Sequence, residues 1–145
     1  MNSTIKYPVA MAAVFIWIGF VGAISFMEAW LKFQAPGITL PLGLGIGQLV
    51  FKALNRVEIV LSVTILVSML YAGIKGFEWQ HLLILIPFLI VLLQTVWLLP
   101  ALDFRAEMHI QGLTVPPSNL HFYYVILEFI KVVCLSIFGI KLVKS

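Results

Sequence analysis

Residues 79–99 read WQHLLILIPFLIVLLQTVWLL, twenty-one positions without an aspartate, glutamate, lysine or arginine. About 20 apolar residues at 1.5 Å each match the roughly 30 Å hydrocarbon layer of a bilayer, so this stretch reads as a membrane-spanning helix. Outward from it, three further runs have the same character: Pro8 to about Phe33, about Ile46 to Ile74, and about Asn119 to Val143. Of the 145 residues, 62% are apolar and 10% charged, whereas a soluble domain carries about 45–50% and about 25%. Such a chain lacks the polar residues to cover a surface in water. Short connections between spans then imply an all-α fold, an integral membrane four-helix up-down-up-down bundle. It forms a single domain over residues 1–145, with the lipid bilayer as its first partner.

Proline and glycine set the expected boundaries. Pro8 suits a helix start, where its missing N–H would be unpaired anyway. Lys6 ahead of it imitates a secretory signal, but the apolar run exceeds the 7–15 residues of a signal core and reads as an uncleaved first span. Pro36-Gly37 ends that span, and Pro41 to Gly47 reads as a turn-rich connection. The second span, closed by Gly73, Lys75 and Gly76, is longer than a bilayer needs, so its first two turns project beyond the hydrocarbon. Pro87 implies a kink in the third span and Pro100 its end. Ser118 or Asn119 caps the fourth. Trp30, Trp79, Trp97 and Tyr71 lie near span ends, as interfacial aromatics do. Lys6, Lys75, Lys141 and Lys144 gather on one face, and loop and tail bases place both termini in the cytoplasm.

Several chemistries are excluded. Cys134 is the single cysteine, so there is neither an internal disulfide nor a cysteine metal cage. The nine bases are scattered singly, with no basic block for nucleic acid. Gly43, Gly45 and Gly47 lack the preceding strand of a nucleotide-binding fingerprint. The lone Glu-x-x-His, Glu78 to His81, has no second copy and reads as the interfacial start of the third span.

Five of the six acids (Glu28, Glu58, Asp103, Glu107 and Glu128) fall at one end of this bundle, with Lys32, Lys52, Arg56, Arg105, Lys131, His109 and His121. Helical phase groups them further. His121, Tyr124, Glu128 and Lys131 share one side of the fourth span. Gln48, Lys52, Asn55, Glu58 and Ser62 share a side of the second, and Ser25, Glu28 and Lys32 a side of the first. Gln94 adds a polar group from the third. Lys131, about 15 Å from Lys141 along the helix, lies near the bilayer centre, where an unpaired charge costs at least about 2.5–3.5 kcal/mol. Glu128, three residues earlier, is its natural partner.

These stripes imply a polar pocket roofed by loops 34–45 and 103–117. Its ligand-binding residues are Glu28, Lys52, Asn55, Arg56, Glu58, Gln94, His121, Tyr124, Glu128 and Lys131. The plainer alternative is that the same ion pairs serve as glue between helices. Glu28, Glu58, His121 and Glu128 form the candidate metal set, without the paired Glu-x-x-His of di-iron bundles. His121, Tyr124 and Glu128 are the candidate general acid and base for a lipid-like substrate. Glu128 beside Lys131 also suits proton or ion handling, for which four spans form half a typical carrier and imply a homo-oligomer. Three functions follow: binding or transport of a small solute or ion, a membrane enzyme on an apolar substrate, or an accessory subunit. No cofactor is specified.

The stretch Trp97-Leu-Leu-Pro-Ala-Leu-Asp-Phe-Arg-Ala106, the histidine opening the last span (His121) and Gly47-Gln-Leu-Val-Phe51 resemble small four-span membrane proteins of the family that includes the transmembrane protein associated with cisplatin resistance. The resemblance covers about half the chain through short motifs, and the loop after Ala106 is shorter here. It implies a compact four-span fold and brings no reaction with it.

Overall fold

Proline and glycine, more than apolar length, decide where the helices start and stop. A computed structural model describes residues 5, 7–73 and 81–144. The expectations for Lys6, Lys75, Glu78 and Trp79, and for the Lys144 side chain, lie outside the described residues. The described residues form four helices: α1 (Pro8–Gln34), α2 (Leu40–Tyr71), α3 (Leu82–Ile110) and α4 (Leu120–Lys144). They form the expected all-α up-down-up-down bundle, and α1, α2 and α3 are each long and apolar enough to cross a membrane.

Two boundaries differ from expectation. The second helix begins at Leu40 rather than Ile46, so 41–47 is helix and not a turn-rich connection. Pro41 is harmless in a first turn, and the Thr39 side chain accepts a hydrogen bond from the Leu42 N–H at 3.4 Å. The glycines there serve contact: a Cβ on Gly43 would lie 2.1 Å from the Phe33 ring, and one on Gly47 3.2 Å from Lys32 Nζ. The third helix, in turn, runs through Pro100 to Ile110 instead of ending there. A π-helical segment, Gln94–Leu98, precedes the proline, and the Leu99 N–H reaches back to the Gln94 carbonyl. The expected roof of loops at 34–45 and 103–117 is therefore largely helix, leaving short links at 35–39 and 111–119. Other boundaries agree: Gly73 closes α2 at φ 75°, Pro87 lies inside α3, and Ser118 Oγ accepts from the Leu120 N–H at 3.2 Å.

The helices pack in a ring. α1 lies against α2 and α4; α4 also packs on the first half of α3, whose second half leans on α2. The main apolar core holds Val14, Trp17, Ile65, Met69, Leu135 and Phe138. A smaller one toward the other end holds Leu98, Leu99 and Tyr124, backed by Phe51. Polar side chains fill the layer between them. The outside is apolar, with Leu49, Val60, Leu92, Val96 and Ile140 all exposed, as a lipid-facing surface requires.

Gly139 lets α1 approach α4, since a Cβ there would meet Phe15 Cζ at 3.0 Å and Val14 Cγ1 at 3.2 Å. Small residues at such crossings allow close backbone approach. Gly139→Leu is expected to lower stability by about 1–3 kcal/mol through overpacking, read from unfolding in bicelles, while Gly139→Ala loses much less.

Candidate functional site

α4 carries Tyr124, Glu128 and Lys131 on one face, one turn apart, and turns it into the bundle. Lys131, Glu58, Gln94 and Glu128 are all 0% exposed. The Lys131 ammonium donates to Glu58 Oε1 at 2.5 Å, Glu128 Oε1 at 2.6 Å and Gln94 Oε1 at 2.7 Å, so its three N–H groups reach three helices. Glu128 Oε1 also accepts from Gln94 Nε2 at 2.6 Å, and its Oε2 from Ser25 Oγ at 2.8 Å. Glu58 Oε1 accepts a second bond from the Trp17 indole N–H at 2.7 Å. Asn55 completes the layer by bonding the Thr95 hydroxyl at 2.9 Å.

Two of these groups come from π-helical turns. Ser25 lies in Gly22–Glu28, where the Ala29 N–H reaches back to the Ile24 carbonyl, and Gln94 opens the segment in α3. Each π turn is thus placed where its helix supplies a partner to Glu128. Single π turns inside α-helices are rare and concentrate at functional sites.

Nearer the expected mouth lies a separate cavity of about 330 Å³ among all four helices. Its wall is mainly apolar, from Phe33, Leu44, Phe51, Leu99 and Leu102, with Lys32, Gln48, Asp103, His121 and Tyr124 as the polar lining. Lys32 pairs with Glu28 at 3.2 Å, and its ammonium lies 5.5 Å from the centres of the Phe33 and Phe51 rings. Tyr124 belongs to both places: it lines the cavity, meets the Phe51 ring edge-on at 5.4 Å and sits one turn before Glu128. Two buried polar side-chain atoms among the described residues have no hydrogen-bond partner, Tyr124 Oη and Glu58 Oε2.

The single pocket expected from the sequence is therefore two sites. Glu58, Gln94, Glu128 and Lys131 come together in the buried layer, and Asn55 joins it through Thr95. Glu28 and His121 belong to the cavity end instead. Lys52 is exposed and pairs with Asp103 at 3.0 Å across the rim. Arg56 is exposed on α2 and lines no part of the cavity. The metal set fails on geometry: among the described residues no three His, Cys, Asp or Glu side chains gather as ligands. Glu28 is held by Lys32, while Glu58 and Glu128 are both held by Lys131.

Sequence reasoning passed over Trp17 and Thr95. A tryptophan far from either span end was the available signal for the first, because a buried indole N–H needs an acceptor. No family model, curated protein or solved structure matches the chain.

Proposed function

We propose that the protein crosses the membrane four times, with both termini cytoplasmic, and binds a small amphiphilic solute in the cavity at its outward end. The observation that carries this reading is the cavity itself. Its volume of about 330 Å³ falls in the range of small-molecule sites, which are apolar clefts with a few converging polar groups. Here the apolar wall suits a hydrocarbon body. Lys32, His121 and Asp103 offer hydrogen bonds to one polar head. Lys32 is the strongest recognition element, because its ammonium, near two aromatic rings and largely shielded from solvent, exerts its charge over a longer range. The buried layer beneath ties the four helices together and keeps them in register.

Native mass spectrometry after extraction in mild detergent tests the reading. The expected result is an adduct smaller than a phospholipid on the wild-type protein. Leu44→Trp, which fills the cavity with an indole, is expected to remove it while leaving the helical circular dichroism unchanged. Wild-type protein without such an adduct, or an adduct indifferent to Leu44→Trp, overturns the proposal. Lys32→Met provides a second check, with adduct occupancy reduced by about tenfold, the effect of one charge-assisted hydrogen bond of about 1.4 kcal/mol.

A further inference from the structure

The buried layer has an unequal count of charges. From α4 it receives the ammonium of Lys131 and the carboxyl of Glu128, and from α2 the carboxyl of Glu58. All three residues are 0% exposed. The other groups around Glu58 and its partners are the neutral Trp17, Ser25, Gln94 and Tyr124, and Asn55 on α2 is engaged with Thr95. If both carboxyls were ionised, the layer would hold one uncompensated negative charge between two apolar cores. Desolvating even a well-paired ion is costly, and an unpaired one far more so.

The hydrogen bonds show which carboxyl carries the imbalance. Glu128 is served on both oxygens, by Lys131 and Gln94 on Oε1 and by Ser25 on Oε2. Glu58 is served on one: Oε1 takes both Lys131 and Trp17, while Oε2 is buried with no donor. A bare buried carboxylate oxygen is far costlier than the hydroxyl of a neutral acid. A metal ion is a poor occupant, since among the described residues no third acidic or imidazole ligand joins the two glutamates. We propose that the Glu58–Lys131–Glu128 layer is a one-proton binding site, with the exchangeable proton on Glu58 Oε2. Uptake converts the Glu58 carboxylate to the acid and brings the layer from a charge of −1 to neutral. Release reverses both changes. Tyr124, one turn before Glu128 on α4, also lines the cavity. The inference rests on the layer alone and does not need the cavity to hold a solute.

Infrared difference spectroscopy of the full-length protein in lipid nanodiscs at neutral pH tests it. The expected result is a protonated-carboxyl C=O band that shifts in D2O and disappears in Glu58→Gln; Glu128→Gln, which leaves Glu58 as the counter-ion of Lys131, is expected to lose it as well. A second measurement covers loss of folding. Gln is the neutral isostere of the acid, so Glu58→Gln is expected to change the unfolding equilibrium constant by less than about tenfold. Glu128→Gln raises it by about a hundredfold, as loss of a buried charged partner does. A wild-type spectrum without the band, or a band that persists in Glu58→Gln, overturns the proposal. So does a carboxylate signal that follows sodium concentration rather than pH, or a Glu58→Gln protein as damaged as Glu128→Gln.

Discussion

Lys131→Met is expected to be the most damaging single substitution in the bundle, lowering stability by about 3–5 kcal/mol. Methionine nearly matches the length of the side chain and is at home among Leu135 and its neighbours, so loss of volume is not the cause. The damage is electrostatic. Lys131 holds Glu58, Gln94 and Glu128 at 2.5, 2.7 and 2.6 Å, and removing it leaves two fully buried carboxyls facing each other without a cation. Breaking a buried pair from one side is far costlier than replacing the whole pair by apolar groups. Unfolding by denaturing detergent in bicelles reads the loss directly. Lys52→Met is the comparison: its ion pair to Asp103 at 3.0 Å is half exposed on the lysine side, and such a pair contributes about 0–1 kcal/mol. Similar losses for the two variants would contradict the buried layer.

The sequence shows the four apolar runs plainly because a bilayer tolerates few charges across its width. It also shows the α4 face of Tyr124, Glu128 and Lys131 and the α2 pair Asn55 and Glu58, because both helices are regular there and a 3.6-residue period applies. α1 and α3 are different. Each contains a π turn, and one added residue rotates everything beyond it by about 100°. The expected stripe of Ser25, Glu28 and Lys32 is divided along α1: Ser25 meets Glu128 in the buried layer, while Glu28 and Lys32 pair at the cavity end. Nothing in the local composition announces a π turn, so one pocket was expected where there are two sites.

Pro100 and the glycines at 43–47 misled for a related reason. In water, proline and glycine interrupt helices because solvent can satisfy the freed backbone groups. In an apolar medium those groups have no such outlet, so helix continues wherever local geometry allows it. The π segment ahead of Pro100 and the first-turn position of Pro41 provide that geometry. Trp17 was hidden by distance, since its acceptor Glu58 lies forty-one residues away and periodicity within α1 cannot report it.

Glu128→Leu is the second large effect, expected at about 3 kcal/mol, the lower end for a broken buried pair, because Glu58 remains to hold Lys131. The substitution removes acceptors from three donors, Lys131, Gln94 and Ser25, and strands the last two in an apolar layer. Its more telling use is in combination. In the double variant Lys131→Met with Glu128→Leu, both members of the 2.6 Å pair are gone. What is left is an apolar layer holding Gln94, Ser25 and a Glu58 that can stay neutral. Two unsatisfied neutral groups cost about 1–3 kcal/mol each at most, whereas the single Lys131→Met variant carries two carboxyls without a cation. The double variant is therefore expected to be more stable than Lys131→Met alone, a reversal of sign that additive contributions cannot produce. The same bicelle unfolding series reads it. Losses that simply add would mean that Glu128 and Lys131 stabilise the bundle independently, contrary to a shared layer that serves both as the floor of the cavity and as the proton site.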